Sequence, residues 1–343
     1  MTDRDSSTLP MLVLGGRKTW ELPELTALNT VLPHTQAIPF PAGEAIAGDP
    51  AQSPWLLSLN GTWQFKLLPR PEAATAEAAA ADNGWTAIQV PGNWTMQGFG
   101  APHYTNIVMP FPEQPPHVPA ENPTGLYRTA FSVPASWRGR RIVLHIGGCE
   151  GACYVYIDGR AVGLHKDART PAEYEMTALL HPGETHTLVA VVPRWSDASF
   201  VEDQDQWWQS GIHRDVFLYA TDTVYLADLW ARGDLKDDLR GGILRLRCRL
   251  GATGEVGRCQ VAAQLYDAAG APLFAQPLSA TYDPREQSAG SWHLGKGPTL
   301  ELERHVEAPR LWSAELPYLY TLVVTVHGPG GAEGASCPVG FRR

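Results

Sequence analysis

Apolar and polar residues alternate in several short runs along this chain, and few runs carry a helical period. From Leu244 to Leu250 the order is Leu-Arg-Leu-Arg-Cys-Arg-Leu. That period of two predicts a strand with one buried and one wet face. Tyr320, Leu322, Val324 and Val326 repeat it against Thr321, Val323 and Thr325. The runs 152–157 and 161–164 flank Asp158-Gly159, a dipeptide suited to the positive φ angles of a tight hairpin turn. Residues 72–81 alone are rich in helix-forming Ala and Glu. They lack a bulky apolar stripe, which predicts a short surface helix or loop. Turn residues separate the short runs throughout, with 33 Gly and 29 Pro spread along the chain. Such spacing predicts an all-β fold built as sandwiches. The lack of βαβ alternation sets a Rossmann-type nucleotide fold aside.

At about 150 residues per domain, 343 residues predict two domains and a smaller piece. Residues 1–55 are rich in Pro and Ala with little periodicity, and read as an extended N-terminal arm tacked down by Trp20 and Trp55. Residues 56–221 hold most of the aromatics and the densest turn chemistry. Residues 222–343 are plainer, and their length suits one immunoglobulin-like sandwich. A composition of 44% hydrophobic and 18% charged residues supports packed cores. With 27 Lys and Arg against 36 Asp and Glu, the net charge is −9, so nucleic acid and anionic membrane surfaces are not expected partners. The run Met11–Leu14 falls far short of the ~20 apolar residues that span a bilayer. The opening Met1-Thr2-Asp3-Arg4-Asp5 lacks a basic, then apolar, signal pattern. The five cysteines, at 149, 153, 248, 259 and 337, have no metal-ligand spacing. Reduced thiols in a cytoplasmic protein are the expectation.

Two stretches hold polar and aromatic residues that a strand core does not need. The first is His103-Tyr104-Thr105-Asn106-Ile107, followed by the proline-laden 110–123. An Asn side chain offers two donors and an acceptor, enough to grip a vicinal diol. The second is Arg194-Trp195-Ser196-Asp197, running into Glu202-Asp203-Gln204-Asp205-Gln206-Trp207-Trp208. Carboxylates beside tryptophans suit sugar or cation binding, since rings stack on pyranose C–H faces. Taken alone, a turn-capping Asn and a solvated acidic loop explain these stretches better. Asp203 and Asp205 lie in one loop, whereas glycoside hydrolysis needs two acids flanking the bond from separate elements. They are therefore not a catalytic pair. His103, His117, His165 and His213 read as turn or core histidines, and neither a phosphate loop nor a Gly-x-Ser-x-Gly elbow occurs.

At these stretches the chain resembles the N-terminal part of a glycoside hydrolase family 2 β-galactosidase. The resemblance includes Trp20-Glu21-Leu22-Pro23, Ser58-Leu59-Asn60-Gly61-Thr62-Trp63, Val90 to Gly98, Tyr104-Thr105-Asn106, and Glu121 to Gly125. It continues through Arg194 to Val216, Pro309 to Ser313, Leu316 to Tyr320, and Val339 to Arg342. The Tyr-Thr-Asn and Glu-Asp-Gln-Asp patterns point to the β-galactosidase branch over the β-glucuronidase and β-mannosidase branches.

This resemblance implies an all-β chain: a jelly-roll (galactose-binding-like) sandwich, then an immunoglobulin-like sandwich. In the family a catalytic (β/α)8 barrel follows, carrying both catalytic glutamates and the magnesium ligands. No catalytic residue is expected here, and the chain alone is expected to be inactive. The resemblance implies that Asn106 and Asp205 contact the galactosyl group of a β-galactoside, with Asp205 also ligating a sodium ion whose other ligands lie in the barrel. Glu202 and Asp203 are expected as turn or strut residues, and Trp207 and Trp208 as packing. Were that pair exposed with Phe111 and Pro112, it would form an apolar patch. Relatives can hold a structural magnesium beside the arm, where this chain has Thr19, Leu22 and Lys166, leaving only Asp197. No such magnesium is expected, because an ammonium repels a dication. Because the arm helps subunits meet in relatives, the same departures bear on homo-oligomer formation. Rival expectations are a free-standing galactoside-binding module and a subunit that docks on a separate barrel chain.

Overall fold

A computed structural model describes residues 8–44, 49–106, 108–237, 240–285 and 298–343. Ile107 of the first candidate stretch and the opening Met1–Asp5 lie outside the described residues. Among the described residues the fold is all-β, with only two short α-helices, Ala76–Ala80 and Asp197–Glu202. The chain divides into two compact units. The first comprises residues 1–31, 57–138 and 142–218, and the second residues 32–56, 139–141 and 219–343. The arm is thus shared between the units.

The first unit is the jelly-roll sandwich. Its larger sheet has seven strands in the order Ala27–Leu28, Arg160–His165, Cys153–Ile157, Thr185–Pro193, Thr124–Ser132, Gly61–Leu68 and Thr86–Val90. The neighbouring pairs are antiparallel. The hairpin expected at Asp158-Gly159 is present, with φ of 50° and 76° at those residues. Cys153–Ile157 is buried at every position, so the sheet is covered on both faces. One cover comes from the start of the chain: Leu9, Met11, Leu12 and Trp20 join Tyr154, Tyr156, Leu164 and Val191 in one buried cluster. On the strand Thr124–Ser132, Tyr127 packs edge-on against Phe65 with centroids 4.8 Å apart, and Phe65 meets Trp94 at 5.8 Å. Gly125 is required there, because a Cβ would lie 2.3 Å from the Trp94 ring.

The second unit is the immunoglobulin-like sandwich. Val224–Leu235, Gly242–Ala252 and Thr299–Val306 form a three-stranded sheet. The other sheet runs Leu278–Tyr282, Cys259–Tyr266, Tyr320–Gly328, Gly331–Val339 and Phe40–Pro41. The last strand, from the arm, pairs Pro41 with Glu333 and Phe40 with Gly334. Leu244, Leu246, Cys248 and Leu250 are all buried, as their alternation predicts, with Leu322, Val324 and Val326 in the same core. Trp55 does tack the arm, lying 3.5 Å beneath the Arg140 guanidinium.

The weak helical signal at 72–81 becomes a 3-10 turn at Pro71–Ala73 and one turn of helix at Ala76–Ala80. Thr75 caps it, its Oγ1 accepting from the Ala78 amide at 3.1 Å. None of the five cysteines is in a disulfide. No helix among the described residues is long and apolar enough to cross a membrane.

Candidate sugar-binding site

The two candidate stretches meet. His103–Thr105 and Gln206–Trp208 pair antiparallel as a two-stranded ribbon, with Gln206 opposite Thr105, Trp207 opposite Tyr104 and Trp208 opposite His103. Asp205 and Asn106 are the next residues beyond the Gln206–Thr105 rung, so the two sequence-nominated residues end adjacent strands of one ribbon. Both are exposed. Because side chains alternate, Asp205 shares its strand's outward face with Trp207, and Asn106 shares its own with Tyr104.

That outward face is tied together. The Tyr104 hydroxyl donates to Asp205 Oδ1, and this bond holds the Tyr104 phenol above its ordinary pKa. The Tyr104 and Trp207 rings lie 5.9 Å apart, tilted by 56°. Trp207 is 62% exposed and Trp208 only 2%. The expectation that both tryptophans pack therefore holds for Trp208 and fails for Trp207, which the strand alternation turns outward. Phe111 does not extend an exposed patch, since it packs on Trp195 and Phe200 with centroids 5.1 and 5.7 Å away.

The inner face is a rigid footing. Trp208 Nε1 donates to Asp203 Oδ1 at 3.1 Å, and Glu202 Oε1 accepts from the Ala168 amide at 2.7 Å; both acids are struts. Burial pushes the Glu202 carboxyl up to about 7. Arg194 Nη2 donates to His103 Nδ1 at 2.8 Å, which leaves the proton on Nε2. Burial, with the Arg194 charge second, lowers His103 to about 4, so the imidazole is neutral. Buried Asn122 clamps Trp195 from both sides, donating to its carbonyl at 2.8 Å and accepting from its amide at 2.9 Å. No sequence expectation covers the helix Asp197–Glu202 between these parts. Its signal is the Ser196–Ser199 capping box.

Beside the first unit's N-terminal segment, Lys166 Nζ lies 2.7 Å from Asp197 Oδ1 and 2.9 Å from the Leu22 carbonyl. Thr19 Oγ1 bonds the Tyr154 hydroxyl at 2.8 Å and donates to the Met11 carbonyl at 2.7 Å. Burial draws Lys166 down and Asp197 up from their ordinary pKa values, and the pair's attraction opposes both shifts. The ammonium sits on the carboxylate oxygen that a cation would need. These residues therefore do not fit a divalent metal.

Comparison with known proteins agrees with this architecture. Residues 56–222 match the glycosyl hydrolases family 2 sugar binding domain, and residues 224–342 match a second domain described as glycosyl hydrolases family 2. A β-galactosidase of Vibrio cholerae is 40% identical over 291 residues, covering 83% of this chain and 28% of that protein. One from Enterobacter cloacae is 36% identical over 352 residues, covering 100% of this chain and 33% of its own length. The chain thus spans about a third of the length of the curated relatives it matches. Among solved structures, β-glucuronidase 2 of Bacteroides uniformis aligns with TM-score 0.63 at 20% identity, over 84% of this chain and 32% of that one. A family 2 member from Bacteroides cellulosilyticus aligns with TM-score 0.62 at 19% identity, over 84% and 36%. At that identity the two structures speak for the fold alone. The two family domains follow one another over nearly all of residues 56–342, and the chain belongs to glycoside hydrolase family 2.

Proposed function

We propose that this chain is the sugar-binding and immunoglobulin-like part of a β-galactosidase, an enzyme that releases terminal β-D-galactose from substrates such as lactose. Its own contribution is grip. Asn106 and Asp205 hold galactosyl hydroxyls, while a catalytic barrel that the described residues do not contain supplies the two glutamates of a retaining double displacement. The observation that carries this reading is the meeting of Asn106 and Asp205 at one end of the ribbon, from stretches about a hundred residues apart.

A carboxylate in the open accepts hydroxyl protons and offers the oxygen donors that a hard cation takes. Asp205 fits a sodium ion in that respect, and the ion when bound would neutralise the carboxylate beside the sugar. Magnesium in this reading belongs to a complete family member. Five free cysteines fit residence in the cytoplasm.

The test is a mixing assay. The purified chain should not hydrolyse a chromogenic galactoside, and turnover should appear when a separately expressed barrel polypeptide is added. The same mixture with Asp205→Ala should lose at least tenfold in kcat/KM, about 1.4 kcal/mol. Turnover by the chain alone would overturn the proposal, as would an Asp205→Ala mixture as active as the unsubstituted one.

A further inference from the structure

The outward face of the ribbon holds more than the two grip residues. An indole 62% exposed sits beside a tyrosine 51% exposed, on a strand whose next residue, Trp208, is buried. Water does not favour a large ring left in the open. Its position is also specific, since residues two apart on a strand lie about 7 Å from each other on the same face. Trp207 therefore stands one sugar-ring width from Asp205. The Tyr104 ring backs the indole, and its hydroxyl reaches over to the Asp205 carboxylate. The result is an apolar wall next to a fixed acceptor, the two surfaces that a pyranose presents in reverse: a C–H face and a hydroxyl edge.

We infer that Trp207 is a carbohydrate-stacking residue and that Tyr104 positions the Asp205 carboxylate beside it, so that one ring of a galactoside lies on the indole while its hydroxyls reach Asp205. This inference rests on the galactoside reading above for the identity of the sugar. Tyr104 acts through Asp205. Without its hydroxyl the carboxylate would rotate freely, and the sugar would have to meet the ordering cost on binding.

The experiment titrates the 343-residue chain with methyl β-galactoside and methyl β-glucoside. Calorimetry is read together with acrylamide quenching of tryptophan fluorescence. The galactoside should saturate and shield one accessible tryptophan, and this shielding should vanish in Trp207→Phe. Trp207→Ala should weaken binding about tenfold, and Trp207→Tyr should recover most of it. Tyr104→Phe keeps the ring and should weaken binding about threefold in the unsubstituted chain. In an Asp205→Ala background, where no side-chain acceptor remains for the hydroxyl, it should have no further effect.

The outcomes separate the claims. Unchanged binding in Trp207→Ala, with binding lost in Asp205→Asn, overturns the stacking role and leaves the galactoside reading standing. Equal affinity for glucoside and galactoside, with loss in Trp207→Ala, overturns the galactose reading and leaves the stacking role. A Tyr104→Phe effect of the same size in both backgrounds overturns positioning. No saturable binding by either sugar overturns all of it.

Discussion

Two strands of similar kind, Cys153–Ile157 in the first unit and Gly242–Ala252 in the second, differ in what covers them. The first is buried at every position. The second is buried on one face, while Arg245 and Arg247 on the other pair with Glu303 and Glu301 across the sheet. The difference comes from the beginning of the chain, where Leu9, Leu12 and Trp20 lie in the cluster that holds Tyr154 and Tyr156. A sheet with one wet face shows its period in the sequence. A sheet roofed by a distant segment does not, and its stability depends on that roof.

Removing the roof is the strongest way to break this comparison. Trp20 is 1% exposed, and Trp20→Ala should cost about 3–5 kcal/mol by opening a large cavity. Hydrogen exchange should quicken in Cys153–Ile157 and Thr185–Pro193 and stay unchanged in Gly242–Ala252. Leu246→Ala, a core truncation expected to cost about 2–4 kcal/mol, should give the opposite pattern. If exchange in Cys153–Ile157 is unaltered by Trp20→Ala, the N-terminal segment is not part of that core.

The ion pair beneath the same segment comes next. Lys166 and Asp197 are both buried, and Lys166→Met would leave a carboxylate without its counter-charge. The expected loss is about 3 kcal/mol. The double variant Lys166→Met with Asp197→Leu should regain most of it, because an apolar pair carries no desolvation cost. A double variant no more stable than the single would show that the pair contributes through geometry and not through charge balance.

How much of this was legible in the sequence follows from the same contrast. Leu244 to Leu250 and Tyr320 to Val326 announced their strands, because water on one face enforces alternation. The Asp158-Gly159 hairpin was legible for a local reason, the positive φ that both residues adopt. The roofing role of Leu9 to Trp20 was not, since no period marks a segment that packs through scattered side chains. At the candidate site, Asn106 and Asp205 are nominated by the family resemblance, since their residues alone read as a turn cap and an acidic loop. The outward turn of Trp207 was not legible, because two adjacent tryptophans read as packing until the ribbon register separates them.

Each unit also holds a glutamate whose carboxyl burial raises to about 7 from an ordinary 4.5, Glu202 in the first and Glu333 in the second. A raised acid binds its proton more tightly when folded, so its contribution is fully present below about pH 4.5 and is lost as pH rises to 7. Glu202→Gln keeps an acceptor for the Ala168 amide and should flatten that slope in the first unit, a gain of about 1–2 kcal/mol at pH 8. Glu333 differs, because Arg140 Nη2 donates to it at 3.0 Å. Glu333→Gln should remove the pH slope too, but with a smaller gain at pH 8 than Glu202→Gln, since there the ionised carboxylate also loses its attraction to the guanidinium. Unfolding of both variants followed from pH 4 to 8 by segment-resolved hydrogen exchange checks this. A slope that survives both substitutions assigns it to other groups.

The smallest expected effect lies on the wet face of Gly242–Ala252. Arg245 Nε meets Glu303 Oε2 at 2.9 Å, but the side chains are 40% and 52% exposed. Water screens such a pair, so Arg245→Ala should cost no more than about 0.5 kcal/mol and nothing measurable in 0.5 M salt. The value of the measurement is its ratio to Lys166→Met. Both variants delete one cation whose shortest carboxylate contact is nearly the same, 2.9 against 2.7 Å, and Arg245 has a second, longer contact with Asp234 at 3.5 Å. A severalfold difference in cost would therefore reflect burial and not distance. Equal costs would mean that water reaches Asp197 in solution, and that the N-terminal segment does not seal the sheet beneath it.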